Sequence, residues 1–176
     1  ITYGDWSSDV CSSDLFGPLN LGISPEETRT RVAAALAQAG VPGFESRVPH
    51  HLSGGEKQRV AIAGVLAMQP QVIVFDEPSA HLDPRSRRQL IQLLQRLPLT
   101  QIIATHDLDL ALDVCDRTLV LNQGQLVRHG PTPQILSDQT FLQHHHLELP
   151  LSFSRPYCPL EPVESPEPLE QLEPVS

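Results

Sequence analysis

At 176 residues, 40% of them apolar, the chain suffices for one domain around a single core. No run is long and apolar enough to cross a bilayer as a helix, so any membrane role is expected to be peripheral. The formal charge of −9 disfavours broad nucleic-acid binding, and Cys11, Cys115 and Cys158 have neither paired spacing nor a companion histidine motif, which suits a reducing cytosol better than a disulfide framework or a zinc site.

That charge is concentrated at the ends. Residues 1–15 hold three Asp and no base, and residues 150–176 hold five Glu against one Arg, leaving the middle close to neutral. The first segment, with "GDWSSDVCSSDLF", places Ser or Asp at nearly every other position and joins abruptly onto patterned sequence at Phe16. Asp5 to Leu15 resembles the translation of a sequencing adapter, so residues 1–15 are expected to be non-native and are set aside from fold reasoning. The last segment is dense in Pro and Glu without helical or alternating apolar period, which predicts a disordered tail over 150–176.

Between them, helix and strand signals alternate. "SPEETRTRVAAALAQAG" predicts a capped helix: Ser24 at the cap, Pro25 at the first helical place, Glu27 closing a capping box and Gly40 as the stop. Val32, Leu36 and Ala39 form its apolar face. A second helix is expected from the Gly54–Gly55 pair to about Met68. "QVIVF" reads as a strand buried on both faces, ending in Asp76. "PRSRRQLIQLLQRL" is a third helix with Leu90, Leu93, Leu94 and Leu97 on one side, and "QIIAT" a second buried strand, followed by a short helix from Leu108 to Val114. "RTLVLNQGQLVRHG" predicts two strands joined at Asn122-Gln123-Gly124, and a helical segment from Pro133 to His144 closes the domain. The alternation implies an α/β fold, a mostly parallel sheet with helices packed on it.

Three places carry chemistry. Ser53 with Glu56 makes a second capping box, which explains both residues but not the two glycines between them, each unfavourable in a helix by about 1 kcal/mol against Ala. Bare amides at a helix start attract anions, and the missing Cβ atoms would let a phosphate approach. Asp76 and Glu77 sit at the carboxyl end of a predicted parallel strand, where ligands of such sheets collect. Asp76 could hold a hydrated Mg²⁺ and Glu77 could polarise water, although an ordinary strand-end turn explains them as well. His106, in "ATHD", would emerge at the same edge, either as a structural residue or as a third functional group.

In their order and spacing these residues resemble the ATP-binding cassette (ABC) ATPases, a partial P-loop NTPase-like fold here lacking its N-terminal strands, over residues 16–149. "LSGGE" resembles the family signature, with Glu56 where Gln is commoner; "VIVFDE" resembles the Walker B strand, "SAHLD" the loop ending at Asp83, and "THD" the switch histidine. The flanks "FGPLNLGISPEE" and "IIATHDLDLALDVCDR" look like the ATPase subunit of energy-coupling-factor importers of cobalt or nickel.

The resemblance implies ATP and Mg²⁺ as cofactors. It assigns Ser53, Gly54, Gly55, Glu56 and Asp83 to ATP binding, Glu77 and His106 to catalysis and Asp76 to the metal through water. It implies a second ATPase subunit paired head to tail, whose nucleotide faces this chain's signature. It also implies a transmembrane coupling subunit and a substrate-binding membrane subunit, no nucleic acid, and a place on the cytoplasmic face of the membrane. Selectivity for cargo would lie in the membrane subunits.

One expected element is missing. A cradle of the form GxxxxGK[ST] needs Gly before Lys, and the single lysine, Lys57, follows Glu56. The family's adenine-stacking aromatic and glutamine loop are not seen either. The chain by itself is therefore expected to bind ATP barely or not at all, and residues 72–75 to lose a sheet neighbour and expose apolar surface. A chromosome- or repair-type ATPase would show a long coiled-coil insertion, which is not visible; an inert docking protein is the other alternative. His144–His146 and the basic Arg85–Arg88 stretch read most simply as solvated segments.

Overall fold

The computed structural model describes residues 22–154. The segments read as an adapter (Asp5 to Leu15), the join at Phe16, Cys11, Cys158 and residues 155–176 of the expected tail lie outside them.

Helix α1 is Pro25–Gln38, with the Ser24 hydroxyl accepting from the Glu27 amide at 3.3 Å. Gly40, at φ +74°, ends it in the left-handed conformation that glycine adopts without penalty. Val32, Leu36 and Ala39 are buried as expected. The expected capping box does not close: the Glu27 carboxylate instead accepts from Arg31, one turn on, at 3.0 Å from Nε. A single 3₁₀ turn at Pro49–His51 leads into α2, Gly54–Leu66.

Strand β1 (Val72–Asp76), α3 (Pro84–Arg96) and β2 (Thr100–Ala104) form a strand–helix–strand unit. β1 and β2 run parallel in a register from Val72 opposite Thr100 to Asp76 opposite Ala104. The two-sided burial expected of both strands is not observed. Ile73 and Phe75 face the core, whereas Val72, Val74 and Ile102 are 49%, 67% and 55% exposed. Among the described residues helices cover one face of this pair, and alternation sends every second side chain to the other.

Helix α4 is Leu108–Val114, as expected. β3 (Arg117–Asn122) and β4 (Gln125–Pro131) form a hairpin whose two turn residues, Gln123 and Gly124, have φ of +50° and +76°. A two-residue link of that hand matches strand twist and forces antiparallel pairing. The described residues thus hold one parallel and one antiparallel pair, not one mostly parallel sheet.

The expected helix from Pro133 to His144 divides into α5 (Thr132–Leu136) and α6 (Gln139–His144), because Asp138 caps the second by accepting from the Phe141 amide at 3.0 Å. A further turn, α7 (Leu151–Ser154), lies inside the segment expected to be disordered. Asp109 holds it, accepting from the amides of Leu151 and Ser152 at 3.1 Å each.

Two apolar clusters result. The larger joins α1, α2, β1 and α3 through residues such as Leu36, Ile62, Phe75 and Leu94; the smaller joins α4, the hairpin, α5 and α6 through Ala111, Val120, Ile135, Leu136 and Leu142.

Candidate functional site

The first part of the site is the start of α2. Its capping box forms as the sequence predicts. The Ser53 hydroxyl accepts from the Glu56 amide at 3.3 Å, and Glu56 Oε2 accepts from the Ser53 amide and the Ser53 hydroxyl at 2.8 Å each. The hydrogen bond from the Ser53 amide, then that from its hydroxyl, holds the Glu56 carboxyl below its usual range. With Lys57 N bonded to Ser53 O, the amides of Gly54 and Gly55 have no hydrogen-bond partner among the described residues. They are the orphan donors that make a helix start attractive to anions.

The two glycines are present for different reasons. A Cβ at Gly54 would meet nothing within 4 Å, so this position is open to a visitor. A Cβ at Gly55 would lie 2.3 Å from Ser86 Oγ and 2.5 Å from Ser86 Cβ. Gly55 is small because α3 packs on it. The expectation that both missing side chains leave room is corrected at Gly55, where the chain's own fold fills that space, while at Gly54 the space is open.

Ser86 leads to Asp83. Asp83 caps α3, accepting from the amides of Arg85 and Ser86 at 3.0 Å each and from the Ser86 hydroxyl at 2.6 Å. The Ser86 hydroxyl, then its amide, holds this carboxyl below its usual range. Arg59 Nη1 adds a second tie between α2 and α3, donating to Gln89 Oε1 at 2.8 Å.

The second part lies at the carboxyl ends of β1 and β2. Because Asp76 is opposite Ala104, the next residues, Glu77 and Thr105–His106, leave the sheet side by side. The Glu77 amide donates to Ala104 O at 2.8 Å. Its φ of +44°, uncommon for a residue with a side chain, marks a backbone held by its surroundings. Glu77 Oε1 accepts from the His106 amide at 3.0 Å and lies 2.7 Å from His106 Nδ1, while Oε2 accepts from the Thr105 hydroxyl at 3.0 Å. Hydrogen bonding to Glu77 raises the His106 pKa, and the same contact lowers that of Glu77. The imidazole remains 84% exposed, so a ligand could reach it.

Asp76 lies on the exposed side of β1 with Val72 and Val74 and lines, together with them and with Gln58, Ile62 and Pro78, a cleft of about 300 Å³. Its carboxylate has no hydrogen bond or ion pair among the described residues. A single free carboxylate beside open space suits Mg²⁺ when phosphate oxygens complete the shell. No group of three or more His, Cys, Asp or Glu among the described residues could hold a metal unaided.

The structure therefore joins Ser53 to Glu56, Glu77 to His106, and Asp83 through Ser86 to Gly55. No hydrogen bond or ion pair among the described residues joins the Ser53–Glu56 turn directly to the Glu77–His106 corner. Sequence reasoning missed the supporting residues: Thr105, Ser86, and the set around Asp107, where the Ser79 hydroxyl and the Arg87 guanidinium both donate to one carboxylate at 3.0 and 3.1 Å. Ser86 and Asp107 left local signals, Ser86 standing three residues after a capping Asp and Asp107 standing at the cap of α4.

The family model for ABC transporters matches residues 7–80, starting inside the segment read as an adapter. The chain is 56% identical over 142 residues to a protein of Gloeobacter violaceus whose name, ABC transporter ATP-binding protein, is provisional; the match covers 80% of this chain and 58% of that one. The cbiO1 protein of Clostridium perfringens, part of the ABC transporter complex cbiONQ, superposes with a TM-score of 0.68 at 36% identity, over 79% of this chain and 57% of the other. An inward-facing ABC transporter, provisionally of metal-chelate type, gives 0.70 at 25% identity over 82% and 61%. The chain thus spans less than two thirds of the length of these proteins, and no helix among its described residues is long and apolar enough to cross a membrane. Over the region it shares with them, the chain carries the ATPase-domain fold of ABC transporters.

Proposed function

We propose that this chain supplies the signature turn, the Walker B carboxylates and the switch histidine of an ATP-hydrolysing subunit that powers an ABC importer. One observation carries the reading: the parallel register of β1 and β2 delivers Glu77 and His106 to each other at 2.7 Å, beside the unpaired Asp76. A strand-end turn alone does not require a histidine 29 residues away to meet that carboxylate.

In this reading Glu77, kept ionised, orients and polarises the attacking water, and Thr105 fixes its second oxygen. His106, raised in pKa and exposed, offers Nε2 to phosphate oxygens while Glu77 holds Nδ1. Asp76 would hold Mg²⁺, which when bound supplies charge neutralisation at the phosphates. The open amides at Gly54, with Ser53, receive the terminal phosphate of a nucleotide carried by a second ATPase subunit. Asp83, committed to capping α3, acts on ATP through the position of its loop.

Cobalt or nickel as cargo rests on the flanking text around "FGPLNLG" and "THDLDLALDVCDR", and the solved neighbour from a multi-protein transporter complex is in keeping with coupling and substrate-binding membrane subunits as partners. The 176 residues contain no GxxxxGK[ST], so the chain alone is proposed to be inactive. The test is calorimetric titration of the purified chain with Mg-ATP, alone and joined to upstream genomic sequence. No heat is expected from the chain alone, and binding with hydrolysis once a phosphate cradle precedes it. Micromolar affinity of the chain alone would overturn the division of labour, and failure of the extended protein to hydrolyse ATP would overturn the function.

A further inference from the structure

The first turn of α3 touches both parts of the site. On one side Ser86 is buried against Gly55, so closely that even a methyl group on the glycine would have to displace it. Ser86 is short and its Cβ is fixed to the helix, so it cannot yield as the tip of a long side chain would. On another side Arg87 donates to both oxygens of Asp107 at 3.1 Å each, the residue after His106. Asp107 is itself held on three further counts, and the residue before it on one. Its amide donates to the Thr105 hydroxyl, its carboxylate accepts from Ser79, and it caps α4 through the Leu110 amide. Its neighbour's amide is bonded to Glu77. Consecutive helical residues point about 100° apart, so one rigid turn can meet two different elements.

We infer that Ser86 and Arg87 are positioning residues that couple the Ser53–Gly55 turn to the His106 loop through the Asp83-capped start of α3. A displacement of the Gly55 backbone pushes Ser86. Because Asp83 binds the Ser86 amide and hydroxyl together, the whole turn moves, and Arg87 carries the motion to Asp107. Gln89, one turn on and bonded to Arg59, keeps α2 and α3 from sliding independently. The coupling gains its functional meaning from the reading above: arrival of a neighbour's phosphate at the signature would be felt at the chain's own switch histidine.

The test is amide NMR on the ¹⁵N-labelled 176-residue chain, which needs no nucleotide. Its outcome is therefore separable from whether the longer protein hydrolyses ATP. Gly55→Ala is expected to shift the amides of Ser86 and Arg87 and, beyond them, those of Asp107 and His106. Adding Ser86→Gly, which makes room for the new methyl, is expected to return Asp107 and His106 towards their original positions. Should Gly55→Ala not fold, Arg87→Lys reads the path in reverse, retaining the charge but losing the two-pronged contact; it is expected to shift Gly54 and Gly55. Leu94→Ala, a cavity in the same helix, is the control for general loosening and is expected to leave Asp107 and His106 in place. The inference is overturned if Gly55→Ala moves Ser86 and Arg87 but not Asp107 and His106, if Arg87→Lys leaves the glycines unmoved, or if Leu94→Ala shifts the loop as much.

Discussion

The start of α2 and the corner between β1 and β2 are the two halves of one proposed chemistry, and they are held together in opposite ways. At the start of α2, Ser53 and Glu56 satisfy each other three residues apart, and one glycine is left open. At the corner, Glu77 meets Thr105 and His106 across 28 and 29 residues, and nothing local would hold it there without the strand register. The first half is local geometry that an isolated helix start could rehearse; the second exists only when the sheet does. A local cap tolerates disturbance elsewhere, while a corner built from long-range contacts senses it.

The comparison breaks most readily at the glycines. Gly55→Ala is expected to destabilise the chain by about 1–3 kcal/mol, the cost of overpacking a filled site. Gly54→Ala, with space around it and better helix propensity, is expected to be neutral or slightly stabilising. Urea unfolding of both variants measures the difference, and equal effects would remove the distinction between a packed and an open glycine. Ser53→Ala comes next, at about 1 kcal/mol for a lost cap. It should leave the corner intact and let the Glu56 carboxyl rise towards its ordinary value, both visible by NMR.

The smallest expected effect on stability is at the corner itself, where the ion pair is exposed and screened. Glu77→Gln should instead appear in titration, with the His106 pKa falling back towards about 6.5. The raised His106 pKa and lowered Glu77 pKa set the pH window in which the charged pair persists. Its contribution is lost as pH rises through the raised histidine pKa, above about 6.5, and as pH falls through the lowered carboxyl pKa, below about 4.3. An unchanged His106 titration in Glu77→Gln would show that the contact does not set the histidine's charge.

The same contrast explains what could be read from the residues in order. Ser53 and Glu56 were legible because a capping box is an (i, i+3) pattern, yet Ser24 and Glu27 show the identical spacing and only half of it forms, since Arg31 competes for the carboxylate. Asp76, Glu77 and His106 could be placed at one edge from two apolar runs followed by polar residues. Thr105, Arg87 and the long-range contacts of Asp107 could not, because they depend on which strand end and helix start become neighbours. Continuous runs such as "QVIVF" suggested burial on both faces; the runs are there, but the described residues cover one face. Gly55 is the sharpest case, because in the sequence it is indistinguishable from Gly54. In the tail, Glu161, Glu164, Glu167, Glu170 and Glu173 recur at every third place, a period that neither a helix nor a strand template detects.

The account is tested most directly by following the Gly54 amide during addition of Mg-ATP, first to the chain alone and then with the Gloeobacter violaceus relative present. The account predicts that Gly54 stays in place with nucleotide alone and shifts when the ATP-loaded relative is added. A shift with Mg-ATP alone, or none with the loaded relative, would contradict a signature turn that serves a neighbour's phosphate.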